Sequence, residues 1–282
     1  MVVKLYSYEL KTSSSKWPVR KGLILQWNDG WGEIAPLPGF SSETFDEALK
    51  EILLLLPNLA SAKPQLPSVR FGVASALEPI CLKPLKIPLG LLNDPRPGFS
   101  TLKLKLGHLP VKIAVEYVRK FLGSYRLSLD CNRAWSLDEA LFFARHFSPN
   151  DFEYLEEPVG TLPELIRFSE LTGFPIALDE SFATFSDHRI PSLAAVVVKP
   201  TVVGTIPLLP VPVVLSSAYE SSLGLLQIAR RFQEGSPAAG LDTFCFFDED
   251  LLVPSLKAEN GFLTWLGCDL CPINLSKLCQ IA

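Results

Sequence analysis

The sequence lacks an excess of positive charge. Its 26 lysines and arginines are outnumbered by 30 acids among 282 residues, giving a net charge of −4 and a pI near 5.5. Such a chain has no footprint for tracking a phosphate backbone, and it carries no zinc-finger or RNA-binding signature, so nucleic acid is excluded as the expected partner. Histidine is scarce. His108, His146 and His188 fall in helices or loops rather than at strand ends, which leaves a serine–histidine hydrolase without support. The cysteines are few and unevenly placed, and the start Met1-Val-Val-Lys-Leu-Tyr6 lacks the basic-then-apolar pattern of a leader, so a cytoplasmic protein with reduced thiols is expected. Cys268 and Cys271 share a two-residue spacing, but without a second pair they read as ordinary thiols. The stretch from Leu193 to Leu215 has the length of a membrane span. Lys199 and Pro200, Pro207, Pro210 and Pro212 interrupt it, so two buried parallel strands are expected there and no membrane partner.

What the chain does have is room for one large α/β barrel or two modest domains, and a clear strand at its centre. Thr101-Leu-Lys-Leu-Lys-Leu-Gly107 alternates strictly, with Leu102, Leu104 and Leu106 on one face and Lys103 and Lys105 together on the other. Lysines also blunt edge strands, so this pattern alone decides nothing. Upstream, Gly22–Trp27 and Trp31–Ala35 flank the turn Asn28-Asp-Gly30, predicting a small antiparallel sheet. Helical periodicity over Glu43–Leu56 follows, with Ser41 or Ser42 as the expected cap, after the stiff loop Pro36–Ser41. A proline-rich stretch, Pro84 to Pro97, places a domain boundary near Asn93. Beyond it, strands and helices alternate. Tyr125–Asp130, Phe152–Glu156, Pro175–Asp179, Ala194–Lys199 and Val211–Ser217 are the strands, the capping boxes Ser136–Glu139 and Thr161–Glu164 open helices, and a last helix runs from Ser222 to Gln233. This order predicts parallel pairing with right-handed crossovers, in a closed barrel or an open sheet.

In a barrel, the C-terminal strand ends meet at one mouth. Here they carry Lys103 and Lys105, Asp130 with Asn132, Glu156 with Glu157, Asp179 with Glu180, Lys199, and Ser216 with Ser217. Three carboxylates from three strands are hard oxygen ligands suited to Mg²⁺, and crowded like charges call for a cation among them. Lysines on opposite sides of such a mouth suit removal of a proton beside a carboxylate, with the metal stabilising the enediolate. Asp248-Glu-Asp250 reads as a solvated turn and Trp135 as a core aromatic.

These residues resemble the enolase superfamily and, within it, the o-succinylbenzoate synthases. The matching stretches are Trp31-Gly-Glu-Ile-Ala-Pro-Leu-Pro-Gly-Phe-Ser41, Lys103-Leu-Lys105, Asp130-Cys-Asn-Arg-Ala-Trp135, Leu155-Glu-Glu-Pro158, Asp179-Glu-Ser181, Val198-Lys-Pro-Thr201, Ser216-Ser-Ala-Tyr-Glu-Ser-Ser-Leu-Gly224 and Gly240-Leu-Asp-Thr243. The resemblance implies an α/β fold, a modified (β/α)7β TIM-type barrel with an N-terminal α+β capping domain. The implied division is residues 1–93 for the cap, 94–250 for the barrel and 251–282 for a segment returning to the cap. The implied reaction is syn elimination of water from 2-succinyl-6-hydroxy-2,4-cyclohexadiene-1-carboxylate, a step toward menaquinone. By the same resemblance Asp130, Glu156 and Asp179 would bind Mg²⁺ or Mn²⁺. Lys105 would be the base and then the acid, Lys103 would hold the carboxylate and ease deprotonation of its neighbour, and Lys199 would lie as a cation against the ring. Asn132, Phe40, Ser41, Ser216, Ser217 and Ser221 would contact the substrate, a small carboxylate, and a homo-oligomer stays open. Only about ten residues, prolines among them, follow Lys199 before the next strand, so one barrel helix is expected to be shortened, as is the connection from Ser181 to Ser192. Two other readings stand beside this one: a racemase or epimerase of N-acylamino acids or dipeptides, and a barrel that has lost activity.

Overall fold

A computed structural model describes residues 2–79, 83–179, 181–182, 190–268 and 272–282. Glu180, His188, Cys271 and most of the Ser181–Ser192 connection lie outside the described residues. The chain opens with β1 (Val3–Lys11), β2 (Val19–Trp27) and β3 (Gly30–Ile34), an antiparallel sheet that also takes in the last strand, β14 (Cys279–Gln280), beside β1. Asn28 turns the chain between β2 and β3 with φ of 51°, the conformation that asparagine tolerates best after glycine. Alternation then sorts the side chains. Leu5, Leu23, Leu25 and Ile34 face two helices, while Tyr6, Tyr8, Ile24 and Trp31 join the main core on the other side.

The helices are α1 (Phe45–Leu55) and α2 (Pro67–Ala76). The expected caps Ser41 and Ser42 are displaced by Thr44. Its hydroxyl accepts from the Glu47 backbone while the Glu47 side chain accepts from the Thr44 backbone, an arrangement worth about 1 kcal/mol. α2 was not expected at all. Nearly its whole circumference is buried, so it has no polar stripe, and it lies so close to β3 that a Cβ on Gly32 would stand 1.8 Å from the Gly72 carbonyl oxygen.

Seven parallel strands follow one another in the second sheet in chain order: β5 (Leu91–Leu92), β6 (Thr101–Lys105), β7 (Arg126–Asp130), β8 (Phe152–Glu156), β9 (Ile176–Leu178), β10 (Leu193–Val198) and β11 (Val213–Leu215). Residues 239–240 join its two edges. Gly240 donates to the Leu215 carbonyl at 2.8 Å, and Ala239 donates to the Pro88 carbonyl and accepts from Gly90, both at 2.9 Å. The result is a curled, TIM-type α/β sheet rather than an open one. Leu102, Leu104 and Leu106 are fully buried on its outer face, where truncating one to alanine costs about 2–5 kcal/mol. Around it run α3 (Val111–Arg119), α4 (Leu137–Ala144), α5 (Leu162–Thr172), α6 (Pro200–Val203) and α7 (Ser222–Ala229). α6 has four residues before Gly204 ends it, the shortening that the prolines signal. A third sheet pairs β12 (Lys257–Glu259) and β13 (Phe262–Trp265) with β4 (Leu85–Pro88), inside the proline-rich stretch. Among the described residues, no helix is long and apolar enough to cross a membrane.

The first sheet is fastened to the barrel through Glu33, which is 0 % exposed. Its carboxylate accepts from Tyr8 Oη, from Ser221 N at 3.0 Å, from Ser221 Oγ at 2.6 Å and from Gly224 N at 2.8 Å. Gly224 is required there, because a Cβ would lie 2.2 Å from Glu33 Oε2. Asp250 is not in a solvated turn as expected. It accepts from Ser222 N at 2.8 Å, capping the start of α7, and from Leu251 N at 2.7 Å.

Candidate active site

Strand register places the chemistry. Lys105, Asp130 and Glu156 form one cross-strand row over β6, β7 and β8, and Lys103, Ser128 and Tyr154 form the row beneath. All six point into the sheet's concave side because the intervening leucines are claimed by the outer core. Asp179 and Lys199 lie just past the ends of β9 and β10.

The three lysines are not equivalent. Lys103 bridges two acids, with Nζ 2.6 Å from Glu156 Oε2 and 3.2 Å from Asp130 Oδ2. Lys199 is paired with Asp179, and its ammonium stands 5.2 Å from the centre of the Phe40 ring. Lys105 reaches Asp130 only at 3.8 Å and is the most open of the three, 43 % exposed against 19 % and 16 %.

Burial pushes the Glu156 carboxyl up to about 8, with Lys103 opposing the rise and the like charges of Asp130 and Asp179 adding to it. Burial also raises Asp130, but Lys103 and Lys105 more than offset this and hold it below the usual carboxylate value. For Lys103, burial works to lower the value, yet Glu156 and Asp130 keep the ammonium protonated well above the ordinary lysine range.

A cavity of about 480 Å³ opens over this cluster. Lys103, Lys105, Asp130, Asn132, Asp179, Lys199, Ser216 and Ser217 line it, and Phe40 reaches in from the N-terminal unit. The structure thus gathers most of the expected residues, and two expectations need correction. Ser221 does not line the cavity: it is fully buried and its hydroxyl is spent on Glu33. Ser41 does not line it either, because its hydroxyl accepts from Leu37 N at 2.9 Å and closes the 37–41 turn. Glu157 also turns away from the rim, accepting from the backbones of Asp179 at 3.0 Å and Ser181 at 2.8 Å. Trp135 packs on Phe143 in the core, 5.0 Å between ring centres. Trp17, Arg96, Cys245 and Phe246 were not foreseen as lining residues and carried no signal, whereas Leu37, Tyr219 and Asp242, which also line the cavity, lie within the matching stretches Trp31–Ser41, Ser216–Gly224 and Gly240–Thr243.

In the conformation described, no three acidic, histidine or cysteine side chains among the described residues stand close enough to coordinate an ion, because lysines are interposed. The donor set still suits one. Glu156 Oε1 is buried and has no hydrogen-bond partner among the described residues, an acceptor whose desolvation none of them offsets. A hard divalent cation among three carboxylates would meet that oxygen and relieve the like-charge crowding that raises Glu156.

Comparison with known proteins bears on the family and the fold. A family model described as MenC, N-terminal domain, matches residues 2–80, and one described as Enolase C-terminal domain-like matches residues 95–201. The o-succinylbenzoate synthase of Pasteurella multocida (strain Pm70) is 31% identical over 309 aligned positions, covering 89% of this chain and 91% of that protein. The o-succinylbenzoate synthase of Yersinia enterocolitica is 37% identical over 267 positions, covering 79% and 82%. In fold, the chain resembles the o-succinylbenzoate synthase of Thermosynechococcus elongatus BP-1, solved with Mg in its active site, at a TM-score of 0.68, with 22% identity over 90% of this chain and 96% of that one. It also resembles an enolase superfamily member from Roseovarius nubinhibens ISM complexed with magnesium, at a TM-score of 0.74 and 15% identity, covering 99% and 97%.

Proposed function

The chain belongs to the o-succinylbenzoate synthase family of the enolase superfamily, and from that membership we propose which of its residues carry the reaction. It is a carbon–oxygen lyase that forms o-succinylbenzoate, a step of menaquinone biosynthesis, by eliminating water from 2-succinyl-6-hydroxy-2,4-cyclohexadiene-1-carboxylate. The fold reads as a (β/α)7β barrel over residues 94–250, with residues 1–93 as an α+β cap and residues 251–282 returning to it. A cytoplasmic location belongs to the same reading.

Asp130, Glu156 and Asp179 would hold Mg²⁺, or Mn²⁺ in its place. Bound there, the cation would supply neutralisation of the negative charge that develops on the substrate carboxylate as its α-proton leaves. Lys105 removes that proton and returns it to the departing hydroxyl, so one group serves as base and then as acid on one face of the ring. The observation that carries this assignment is the inequality of the lysines. Lys103 and Lys199 are held by close carboxylates, and among the described residues Lys105 alone of the three has no acid nearer than 3.8 Å. Lys199, with the Phe40 ring on one side, presents a fixed cation to the opposite face of the substrate ring. Lys103 lies between Asp130 and Glu156 and keeps their charges balanced while no substrate is present. Asn132, Ser216 and Ser217 supply polar contacts along the wall.

The test is to follow o-succinylbenzoate formation by ultraviolet absorbance with and without Mg²⁺. Metal-dependent turnover that chelation abolishes and Mg²⁺ restores is expected; absence of turnover with this substrate would remove the reading.

A further inference from the structure

The cavity has a second charged end that the proton chemistry does not use. Arg96 and Asp242 line it, far from each other in sequence, and an NH2 group of Arg96 donates to Asp242 Oδ2. A guanidinium and a carboxylate that satisfy one another share two parallel bonds. This pair does not: Arg96 Nε and Asp242 Oδ1 are both buried and, among the described residues, both lack a partner. The guanidinium carbon stands 5.2 Å from the centre of the Phe99 ring, which fixes its plane, and the side chain is 30 % exposed, so it remains reachable from the cavity. Among the described lining residues it is the only cation outside the lysine–acid cluster. A cation that lines a ligand cavity, held there by one carboxylate and one ring, is placed to meet an anionic group of the ligand.

The substrate has two carboxylates. The proton is removed beside the ring carboxylate, which must therefore sit at the lysine end, and the other ends the succinyl arm. We propose that Arg96 is the anchor for the arm's carboxylate, which accepts from the exposed part of its guanidinium. This rests on the o-succinylbenzoate reading above. Asp242 acts as a positioning residue, holding the guanidinium in place at the cavity wall beside the Phe99 ring. Asp94 also lines this end, so recognition depends on the directed hydrogen bond rather than on a general positive field. A neutral carboxamide arm of the same shape can still accept through its carbonyl oxygen but lacks the charge that strengthens the contact.

Calorimetric titration of the Mg²⁺-loaded enzyme with o-succinylbenzoate, and with its analogue bearing a carboxamide at the end of the arm, tests this. The wild type is expected to prefer the carboxylate by about ten- to hundredfold, the range of a hydrogen bond to a charged group. In Arg96→Met that preference disappears, because carboxylate binding weakens far more than amide binding, and in turnover KM rises with kcat nearly constant. Should Arg96→Met fail to fold because Asp242 is left unpaired, the double variant R96M/D242L, which removes both charges, is read in the same way. Equal binding of the two ligands by the wild type, a preference that survives in the variant, or equal weakening of both ligands overturns the anchor. A wild type that binds neither ligand overturns the assigned substrate as well.

Discussion

Glu33 and Glu156 are both buried carboxylates, 0 % and 1 % exposed, and they have opposite surroundings. Glu33, at the joint between the first sheet and the barrel, is met by four donors from Tyr8, Ser221 and Gly224. Glu156, at the barrel mouth, has one oxygen on Lys103 and the other without a partner among the described residues, and burial beside two further acids lifts its carboxyl to about 8. A buried acid that the chain satisfies fully is holding two parts of the fold together. One that the chain leaves half satisfied marks where a ligand is to arrive, and the cost of the unmet oxygen is tolerated for that reason.

The comparison can be broken in several ways. The largest effect is expected from Lys105→Ala, because removal of a positioned base typically costs about 10²–10⁴-fold in rate. The variant should fold, since Lys105 is the most open lysine of the site, and circular dichroism with the absorbance assay checks both halves. Retention of most activity would refute the assigned base.

Next comes one substitution made twice. Glu33→Gln places an amide NH₂ against donors and is expected to lower unfolding free energy by about 2–4 kcal/mol. Glu156→Gln removes a crowded buried charge and is expected to leave metal-free stability unchanged or improved in urea titrations, while abolishing turnover. Equal destabilisation by the two would erase the distinction drawn above.

A third acid sharpens the contrast through pH. Burial raises Asp250 from 3.8 to about 6 even though Ser222 and Leu251 donate to it. The folded state therefore keeps a proton that the unfolded chain releases. The sign follows: stability is greatest below the unfolded value and falls as pH rises from about 4 to about 6, by at most on the order of 3 kcal/mol. Asp250→Asn should flatten that part of the stability–pH curve; an unchanged slope would show that Asp250 is not its source. The smallest effect is expected from Phe40→Ala, which removes the ring beside Lys199 and should lower kcat/KM by about three- to thirtyfold, the range of a cation–π contact.

How much of this was legible in the sequence depended on how far each residue's role reaches along the chain. Period-two alternation places Lys103 and Lys105 on one face, and strand ends locate Asp130, Glu156 and Asp179, because local pattern decides which way a strand residue points. α2 was missed because burial of Ser68, Val69, Phe71, Gly72, Val73, Ser75 and Ala76 erases the polar stripe by which a helix is recognised. Residues 239–240 close the sheet with two small residues, too short a stretch for any periodicity. Ser221 belongs to a serine-rich motif, yet whether its hydroxyl meets a ligand or Glu33, 188 positions away, is a tertiary matter. Arg96 and Asp242, 146 positions apart, meet for the same reason, so no local spacing announces them.

The central claim is that the acids of three neighbouring strands, now held by lysines, form one cation site. Anomalous diffraction from crystals soaked in Mn²⁺ tests it directly. One strong peak is expected at ligand distance from the carboxylates of Asp130, Glu156 and Asp179, with the Lys103 ammonium displaced from between Asp130 and Glu156. A soak that leaves Lys103 bridging those two acids and shows no peak among the three would contradict it.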